Sequence, residues 1–417
     1  MIDKMINKKF TMVFLILVNL VDFIGLGIVV TLFPKLILDV SSGLISPDVS
    51  YKLRLIFLGV LLAIYPFGQF FGAAFFGKLS DTYGRKKMLS YTILGTIIGF
   101  LISAIAIAYM QPFLLFIGRL VSGVFSGNTA IAQASMIDIS NEKTKARNIS
   151  ILQITLGFAW VIGPPMGGWF SQNTVVSWFN YSTPFYMISI FLVLLMLVNV
   201  IFYRDTLQSK KPLNIHWFED LVVIKSVFSH KSLLTIFTIW AMFVCGWWLF
   251  EAYLPTFLQQ HWNFNPAAIG TFLGCMGATY ALTQIIVIKF ISQANPYKVV
   301  RNSLLISGLA IVAISFVQSM AQLIAVIGFY VVSMAFCLPG LITVISNTGN
   351  KQNQGHTMGL MSSIQAIATV SMMLLGGVLV GLKESIPIIG GGVLLCVAWL
   401  VFFMSYKSKS AEGVINE

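Results

Sequence analysis

Long apolar runs are the feature that most constrains this chain. Twelve stretches of roughly 20 apolar residues follow one another along its 417 residues, separated by short polar segments. Because lipid cannot satisfy open backbone groups, helices are the expected form of each crossing. We therefore predict an all-α membrane protein with twelve transmembrane helices, at 10–33, 54–77, 89–109, 112–136, 150–171, 183–203, 232–258, 267–288, 300–318, 321–345, 355–380 and 386–406.

Charge supports the membrane assignment and orients the chain. Only 10% of the residues are charged, whereas soluble proteins carry about a quarter. If the N-terminus is cytoplasmic, 21 of the 26 Lys and Arg residues fall in cytoplasmic segments. This asymmetry is the positive-inside signature, so both termini are predicted to be cytoplasmic. The same signature accounts for the net charge of +12, and no nucleic-acid partner is expected.

One long polar interval, 204–231, separates six spans from the other six. The predicted domains are an N-terminal six-helix bundle over 1–203, a cytoplasmic linker over 204–231 and a C-terminal six-helix bundle over 232–417. Two bundles joined in this way are the layout of transporters built from parallel halves.

Composition disfavours several chemistries. The four cysteines stand singly in apolar spans, without the spacing of a metal site or a disulfide framework. No G-x-x-x-x-G-K-[ST] loop for ATP occurs, and the four histidines lie apart from one another. We expect no metal, no cofactor and no enzymatic activity.

The stretch GKLSDTYGRKKML (77–89), between spans 2 and 3, contains five charged residues in a chain poor in charge. Its members Gly77, Asp81, Gly84, Arg85 and Lys86 fit G-x-x-x-D-x-x-G-R-K, which closely resembles the signature of the major facilitator superfamily. Gly77 would let another helix approach closely, and Asp81 suits a helix N-terminus. Gly84 permits a tight turn, and Arg85 offers a forked donor to a carboxylate. A basic loop that only sets the topology is the alternative.

The resemblance implies the major facilitator fold, two six-helix bundles, with this segment as a cytoplasmic gate. In that family the gate latches against an acid after helix 4 and against the start of helix 11. The corresponding positions here are Asp138 and the 354–357 region, QGHT.

Three further stretches are similar to twelve-helix drug/proton antiporters of the tetracycline-exporter type. Helix 1 would be NLVDFIGLGIVVTLFP (19–34), with Asp22, and helix 4 GRLVSGVFSGNTA (118–130), with Arg119. GFAWVIGPPMGG (157–168) resembles the antiporter motif of helix 5, through Gly157, Gly163, Pro164, Gly167 and Gly168. Proline and glycine there are expected to kink the helix and open a groove for a partner helix.

Asp22 and Arg119 are the charged residues predicted at mid-membrane depth. A helical rise of 1.5 Å per residue places both roughly 20 Å from the cytoplasmic edge, so the two are expected to pair. Because a charge at this depth is costly, a functional role is expected, with Asp22 as the proton carrier and Arg119 as its partner. A fixed structural ion pair is the alternative.

Glu251 lies nineteen residues into span 7, roughly 28 Å from the inner edge and close to the outer interface, and Pro255 is expected to break the helix after it. It is interpreted as a cation-binding or second proton site, or as a solvated interfacial acid. Nearby Trp247 belongs either to an aromatic wall for a ligand or to the interfacial aromatic belt. Other candidates for the substrate cavity are Asn19, Gln69, Asn128, Gln153 and Gln284, for which hydrogen bonding between helices is the alternative.

These observations predict a proton-coupled secondary transporter that exports an amphipathic small molecule or drug. Its expected partners are a small-molecule substrate, protons and the lipid bilayer, and its expected setting is the bacterial inner membrane, as a monomer. Spans 89–109 and 300–318 lack the acids that tetracycline exporters carry there. A siderophore or other metabolite transporter, working in either direction, and a receptor without transport are the alternatives.

Overall fold

A computed structural model describes residues 2–141, 144–207, 231–291, 295–348 and 354–411. This part of the chain is helical and contains no strand. The helices are α1 Ile2–Leu38, α2 Tyr51–Tyr83, α3 Arg85–Ala108, α4 Pro112–Phe125, α5 Asn128–Asp138, α6 Lys145–Phe170, α7 Thr183–Ile201, α8 Lys231–Trp262, α9 Pro266–Ile291, α10 Pro296–Ile314, α11 Met320–Thr348, α12 Gln354–Val380 and α13 Ile386–Ala411.

The prediction of twelve membrane helices is confirmed. Twelve segments of the described chain are long and apolar enough to cross a bilayer, and the fourth, Pro112–Asp138, consists of α4 and α5 together. The two helices are separated at Ser126 and Gly127, where the Ser126 hydroxyl donates to the Gly123 carbonyl at 2.8 Å. Because of this interruption, α5 begins inside the protein. Its first residue, Asn128, is fully buried.

The helix break predicted at Pro255 is absent. Helix α8 continues through Pro255 to Trp262, and α6 continues through Pro164 and Pro165 to Phe170. Proline interrupts only its own backbone hydrogen bond, and in a membrane protein the surrounding helices can compensate for that loss. The expectation that Pro255 breaks this helix was therefore wrong.

Contacts divide the chain into two compact units, Met1–Ile215 with Leu258–Ala278, and His216–Phe257 with Thr279–Glu417. In the first unit α1 packs on α6, α3 on α4 and α7, and α2 on α4. In the second, α10 packs on α11 and α13, and α12 on α13. The two six-helix bundles stay a prediction, and most of the predicted linker, 208–230, lies outside the described residues.

Small residues bring the helices of the first unit close together. A Cβ on Gly72 of α2 would lie 1.8 Å from the backbone oxygen of Val124 in α4, and one on Gly99 of α3 would lie 2.4 Å from the Ser122 hydroxyl. Close backbone approach of this kind replaces the hydrophobic effect as the source of helix association in lipid.

The connection between α1 and α2 is held by a buried arginine in the first turn of α2. Arg54, only 1% exposed, donates to the carbonyls of Val49, Ile37, Ile45 and Ser46, at 3.2, 3.3, 3.0 and 2.7 Å. Because these acceptors come from the end of α1 and from the loop itself, one guanidinium group fixes the whole connection.

Candidate functional site

Asp22 of α1 is buried at the first turn of α5. Its side chain is 2% exposed and accepts hydrogen bonds from the Asn128 amide at 3.4 Å and the Thr129 hydroxyl at 3.3 Å. The Tyr65 hydroxyl of α2 also lies within hydrogen-bonding range of the carboxylate. The N-terminus of a helix carries partial positive charge, so this position favours a carboxylate.

Arg119 of α4 is fully buried among aromatic rings. Its guanidinium carbon lies 4.6 Å from the ring centre of Tyr65, 5.5 Å from that of Phe100 and 6.0 Å from that of Phe33. Within the described residues, none of its three side-chain nitrogens has a hydrogen-bond partner. The interaction of the cation with the ring faces therefore takes the place of hydrogen bonds.

Tyr65 stands between these two charges. The predicted direct pair of Asp22 and Arg119 is not formed in the described structure, since no side-chain nitrogen of Arg119 has a hydrogen-bond partner there. The Tyr65 ring lies against the guanidinium, and its hydroxyl interacts with the carboxylate. The prediction was wrong in this respect, although both residues lie in the same buried region. Sequence reasoning missed Tyr65, for which the one signal was a polar-tipped aromatic in an apolar span, a residue that seeks a hydrogen-bond partner when buried.

The segment between α2 and α3 forms a cluster around Arg85. The guanidinium group contacts Asp81 at 2.6 Å and Asp138 at 2.9 Å, and donates to the Ser80 hydroxyl at 2.5 Å. Gly84 has φ of +106°, a conformation that favours glycine, and it turns the chain directly into α3. We call Ser80, Asp81, Arg85, Asp138 and Asp205 the Arg85 cluster.

Asp205, after α7, is a member of the Arg85 cluster that sequence reasoning missed. Its carboxylate accepts from the Arg85 backbone N–H at 3.1 Å, and a Cβ on Gly84 would lie 2.3 Å from it. The neighbouring Thr206 hydroxyl donates to Asp138 at 3.3 Å. Lys86 lies at the edge of the cluster, where its ammonium group donates to the Val200 carbonyl at 2.9 Å. The end of α7 is therefore attached to this segment.

Two expectations about the segment are corrected. Asp81 lies in the last turn of α2, not at a helix N-terminus, and its charge is balanced by Arg85 four residues later. Gly77 allows no close helix approach, since a Cβ there would make only ordinary contact with Ala130 at 3.9 Å. The predicted partner at 354–357 has side chains that lie outside the described residues.

The glycines of α6 pack mainly against α1. A Cβ on Gly163 would lie 2.8 Å from the Ile24 carbonyl oxygen, and one on Gly167 would lie 2.9 Å from the Ile28 Cα. Gly157 differs, because nothing lies within 4 Å of such a Cβ. The motif therefore serves close packing at its second half only.

A second face of α6 meets α9 within the first unit. Added Cβ atoms on Gly168 and Gly270 would lie 2.2 Å from the Pro266 oxygen and 2.3 Å from the Pro164 oxygen, respectively. The same close approach recurs at Gly274 and Gly277. The spacing G-x-x-x-G in 270–274 is a typical signal of helix association that sequence reasoning left unused.

The polar candidates for the substrate cavity divide into two groups. Asn19 donates to the Leu152 carbonyl at 3.0 Å and to the Thr155 hydroxyl at 2.5 Å, and Gln284 donates to the Ala335 carbonyl at 3.0 Å, so both join helices. Asn128 belongs to the Asp22 site. Gln69 is half-buried, and the side chain of Gln153 lies outside the described residues.

Glu251 of α8 is held by two neutral donors. The Tyr330 hydroxyl and the Trp247 indole N–H reach its Oε1 at 2.9 and 3.3 Å. Because α8 runs eleven residues further, to Trp262, about 17 Å of helix follows Glu251. Its place near the outer interface stays a prediction. The described residues contain no group of three metal-ligating side chains.

Comparison with known proteins identifies a family and a fold. The model of the Major Facilitator Superfamily matches residues 15–368 and 242–416. The chain is 25% identical over 296 residues to the tetracycline resistance protein, class H, of Pasteurella multocida, over 69% of this chain and 68% of the relative. It is 22% identical over 419 residues to multidrug resistance protein 2 of Bacillus subtilis, over 98% of each chain. A solved D-xylose-proton symporter has a TM-score of 0.74 at 13% identity, covering 94% of this chain and 97% of its own, and shows the fold alone.

Proposed function

The chain belongs to the Major Facilitator Superfamily and is an integral membrane transporter of small molecules, not an enzyme, and on this premise we propose that it exports an amphipathic small molecule in exchange for protons. The names of its relatives, tetracycline and multidrug resistance proteins, support export over import. Its setting is the bacterial inner membrane, where it acts as a monomer with both termini in the cytoplasm.

The Asp22 site is the observation that carries the proposal. A charge in the membrane interior costs at least about 2.5–3.5 kcal/mol, so it persists where function requires it. Asp22 is the carboxyl that takes and releases the proton, and the donors Asn128 and Thr129 hold its charged form in place. One proton moving inward across 100 mV releases about 2.3 kcal/mol, which sustains a concentration ratio of about 50.

Arg119 is the fixed counter-charge, and Tyr65 positions it. Because Tyr65 occupies the place of a direct ion pair, Asp22 remains free to lose its charge without opening a contact with the guanidinium. The ring of Tyr65 keeps the cation in place in both protonation states of Asp22. The site thereby combines one mobile charge with one fixed charge.

The Arg85 cluster is the cytoplasmic gate of this mechanism. In the conformation described, one arginine ties the end of α2 to α5, while Asp205 ties the same segment to α7. Opening this side for alternating access requires contacts of the cluster to break. We expect the close packing of α6 against α1 and α9 to limit proton leakage between these helices.

The proposal is tested with purified protein in liposomes that enclose a pH-sensitive dye. Tetracycline, ethidium and chloramphenicol are added separately under an imposed pH gradient. We expect at least one of them to cause proton movement across the membrane, at a rate that increases with the amount of protein in the liposomes. Empty liposomes and the Asp22→Asn variant are the controls. Substrate movement with no accompanying proton signal would refute proton coupling while leaving transport intact.

A further inference from the structure

A second acid in a membrane span, Glu251 of α8, takes no part in the mechanism above. We propose that Glu251, Trp247 and Tyr330 form a binding site for a monovalent organic cation with an apolar body. The inference rests on the proposed function and deepens it, because it names the chemical class of substrate. All three residues belong to the second unit of the chain.

The two hydrogen bonds of Glu251 leave one carboxylate oxygen available. The Tyr330 hydroxyl, at 2.9 Å, and the Trp247 indole, at 3.3 Å, both donate to Oε1. No described residue donates a hydrogen bond to Oε2, and the Glu251 side chain is partly exposed. The donors therefore fix the orientation of the carboxylate, and its second oxygen is open to a ligand.

The charge of Glu251 has no cationic partner in the described residues. None of the ion pairs of this part of the chain involves Glu251, and its two hydrogen-bond donors are neutral. Neutral hydrogen bonds compensate a buried carboxylate only in part, since a paired charge is the usual companion of a charge in the membrane. A positively charged ligand completes the site.

The surroundings select an organic cation over a metal ion. Trp247 and Trp248, with ring centres 5.5 Å apart, are both partly exposed beside the acid, and Phe250 packs edge-on against Tyr330 at 4.8 Å. Aromatic faces attract cations and cover apolar groups at the same time. A metal ion would require several further oxygen ligands, and no group of three metal-ligating side chains occurs in the described residues.

Trp248 adds an independent indication of a missing partner. Its indole nitrogen is buried and has no hydrogen-bond acceptor among the described residues. Buried indole N–H groups normally find an acceptor.

The test measures binding of tetraphenylphosphonium to the purified full-length protein in detergent, by calorimetry. Triphenylphosphine oxide, which is neutral and of similar shape, is the reference ligand. We expect the cation to bind at least about tenfold more tightly, the equivalent of about 1.4 kcal/mol. The Glu251→Gln variant is expected to lose that preference and to bind the neutral compound as the parent does.

Three further variants separate the site from general effects. Glu384→Gln, the same substitution at another acid of the second unit, is expected to change nothing. Tyr330→Phe keeps the ring and removes the donor, and Trp247→Phe removes the donor while leaving a smaller aromatic ring. Both are expected to weaken cation binding a fewfold and to leave the neutral compound unaffected. If Glu251→Gln does not fold, Glu251→Asp keeps the charge but displaces it, and a loss of cation preference there supports the site.

Several outcomes would overturn the proposal. Equal affinity for the cation and the neutral compound, or an unchanged preference in Glu251→Gln, excludes the site. So does a Glu251→Gln variant that keeps cation preference but loses proton coupling, because Glu251 would then carry a proton. Asp22→Asn is expected to bind the cation as the parent does, because Asp22 is not part of this site. If the parent protein exchanges other compounds for protons but does not bind tetraphenylphosphonium, the Glu251 site is refuted and the proposed proton exchange is not.

Discussion

Replacement of Arg85 by alanine is expected to weaken the contacts between the ends of α2 and α5 without preventing insertion of the protein into the membrane. Arg85 is 6% exposed and contacts Asp81, Asp138 and Ser80, which lie on α2 and α5. Alanine would leave two carboxylates without their cation. The connection between α2, α3 and α5 would then depend on Asp205 and on the backbone turn at Gly84.

The expected loss of stability in Arg85→Ala depends on how exposed the two partner carboxylates, Asp81 and Asp138, are. Removing one member of a fully buried ion pair costs about 3–5 kcal/mol, whereas an exposed pair is worth less than about 1 kcal/mol. The side chains of Asp81 and Asp138 are 33% and 20% exposed, so this cluster lies between the two limits. We expect a loss of about 2–3 kcal/mol, seen as a fall in melting temperature on the order of 2–4 °C for a chain of 417 residues.

The assay compares Arg85→Ala with Lys86→Ala. Lys86 is the adjacent cation and donates a single hydrogen bond to the Val200 carbonyl, so its loss should cost less than about 1 kcal/mol. Melting in detergent and transport by liposomes are measured at matched protein amounts. We expect Arg85→Ala to melt lower and to transport at a strongly reduced rate, while Lys86→Ala stays close to the parent. Equal behaviour of the two variants would refute the assignment of Arg85 as the centre of the cluster.

Three further predictions concern other parts of the chain. Gly163→Ala should lower the melting temperature, because its Cβ would lie 2.8 Å from a carbonyl oxygen of α1. Gly157→Ala should leave the melting temperature unchanged or raise it, because nothing lies within 4 Å of the added Cβ. The reverse order of melting temperatures would contradict the close packing of α6 on α1. Tyr65→Phe keeps the ring on Arg119 but removes the hydroxyl at Asp22. It should reduce the number of protons moved per substrate and lower the free energy of unfolding by about 1 kcal/mol. An unchanged number of protons per substrate would exclude a positioning role for Tyr65. Arg54→Ala leaves four carbonyls without their donor. We expect the connection between α1 and α2 to become sensitive to protease in detergent, where that of the parent protein resists. Equal protection of the two proteins would contradict the role of Arg54 as an anchor.

The fold could be predicted from the sequence because the bilayer imposes a simple rule. Hydropathy located every span, and errors arose where a local signal competed with packing. Pro255 suggested a helix end, yet α8 continues to Trp262, since apolar surroundings penalise an unwound backbone more than one missing hydrogen bond. The break between α4 and α5 was not predicted, because Ser126 and Gly127 are unremarkable in a membrane helix.

The candidate site was predicted in part, for a different reason. Asp22, Arg119 and Arg85 were identified because charge is rare in apolar spans, and Asp138 was found through the family resemblance. Tyr65 and Asp205 were missed, because their roles depend on which faces of separate helices meet. Depth along each helix correctly brought Asp22 and Arg119 into one region, but it contains no information on what stands between two side chains.

The central claim is that the Asp22 carboxyl couples substrate movement to protons. Its most direct test is the accumulation ratio of a transported compound in liposomes under an imposed pH gradient, for the parent, Asp22→Asn and Asp48→Asn. Asp48 is an exposed loop acid that serves as the matched control. We predict that the parent and Asp48→Asn concentrate the compound, while Asp22→Asn reaches only equal concentrations on both sides yet still exchanges substrate down its own gradient. If Asp22→Asn concentrates the compound as the parent does, the proton is carried elsewhere and the account is contradicted.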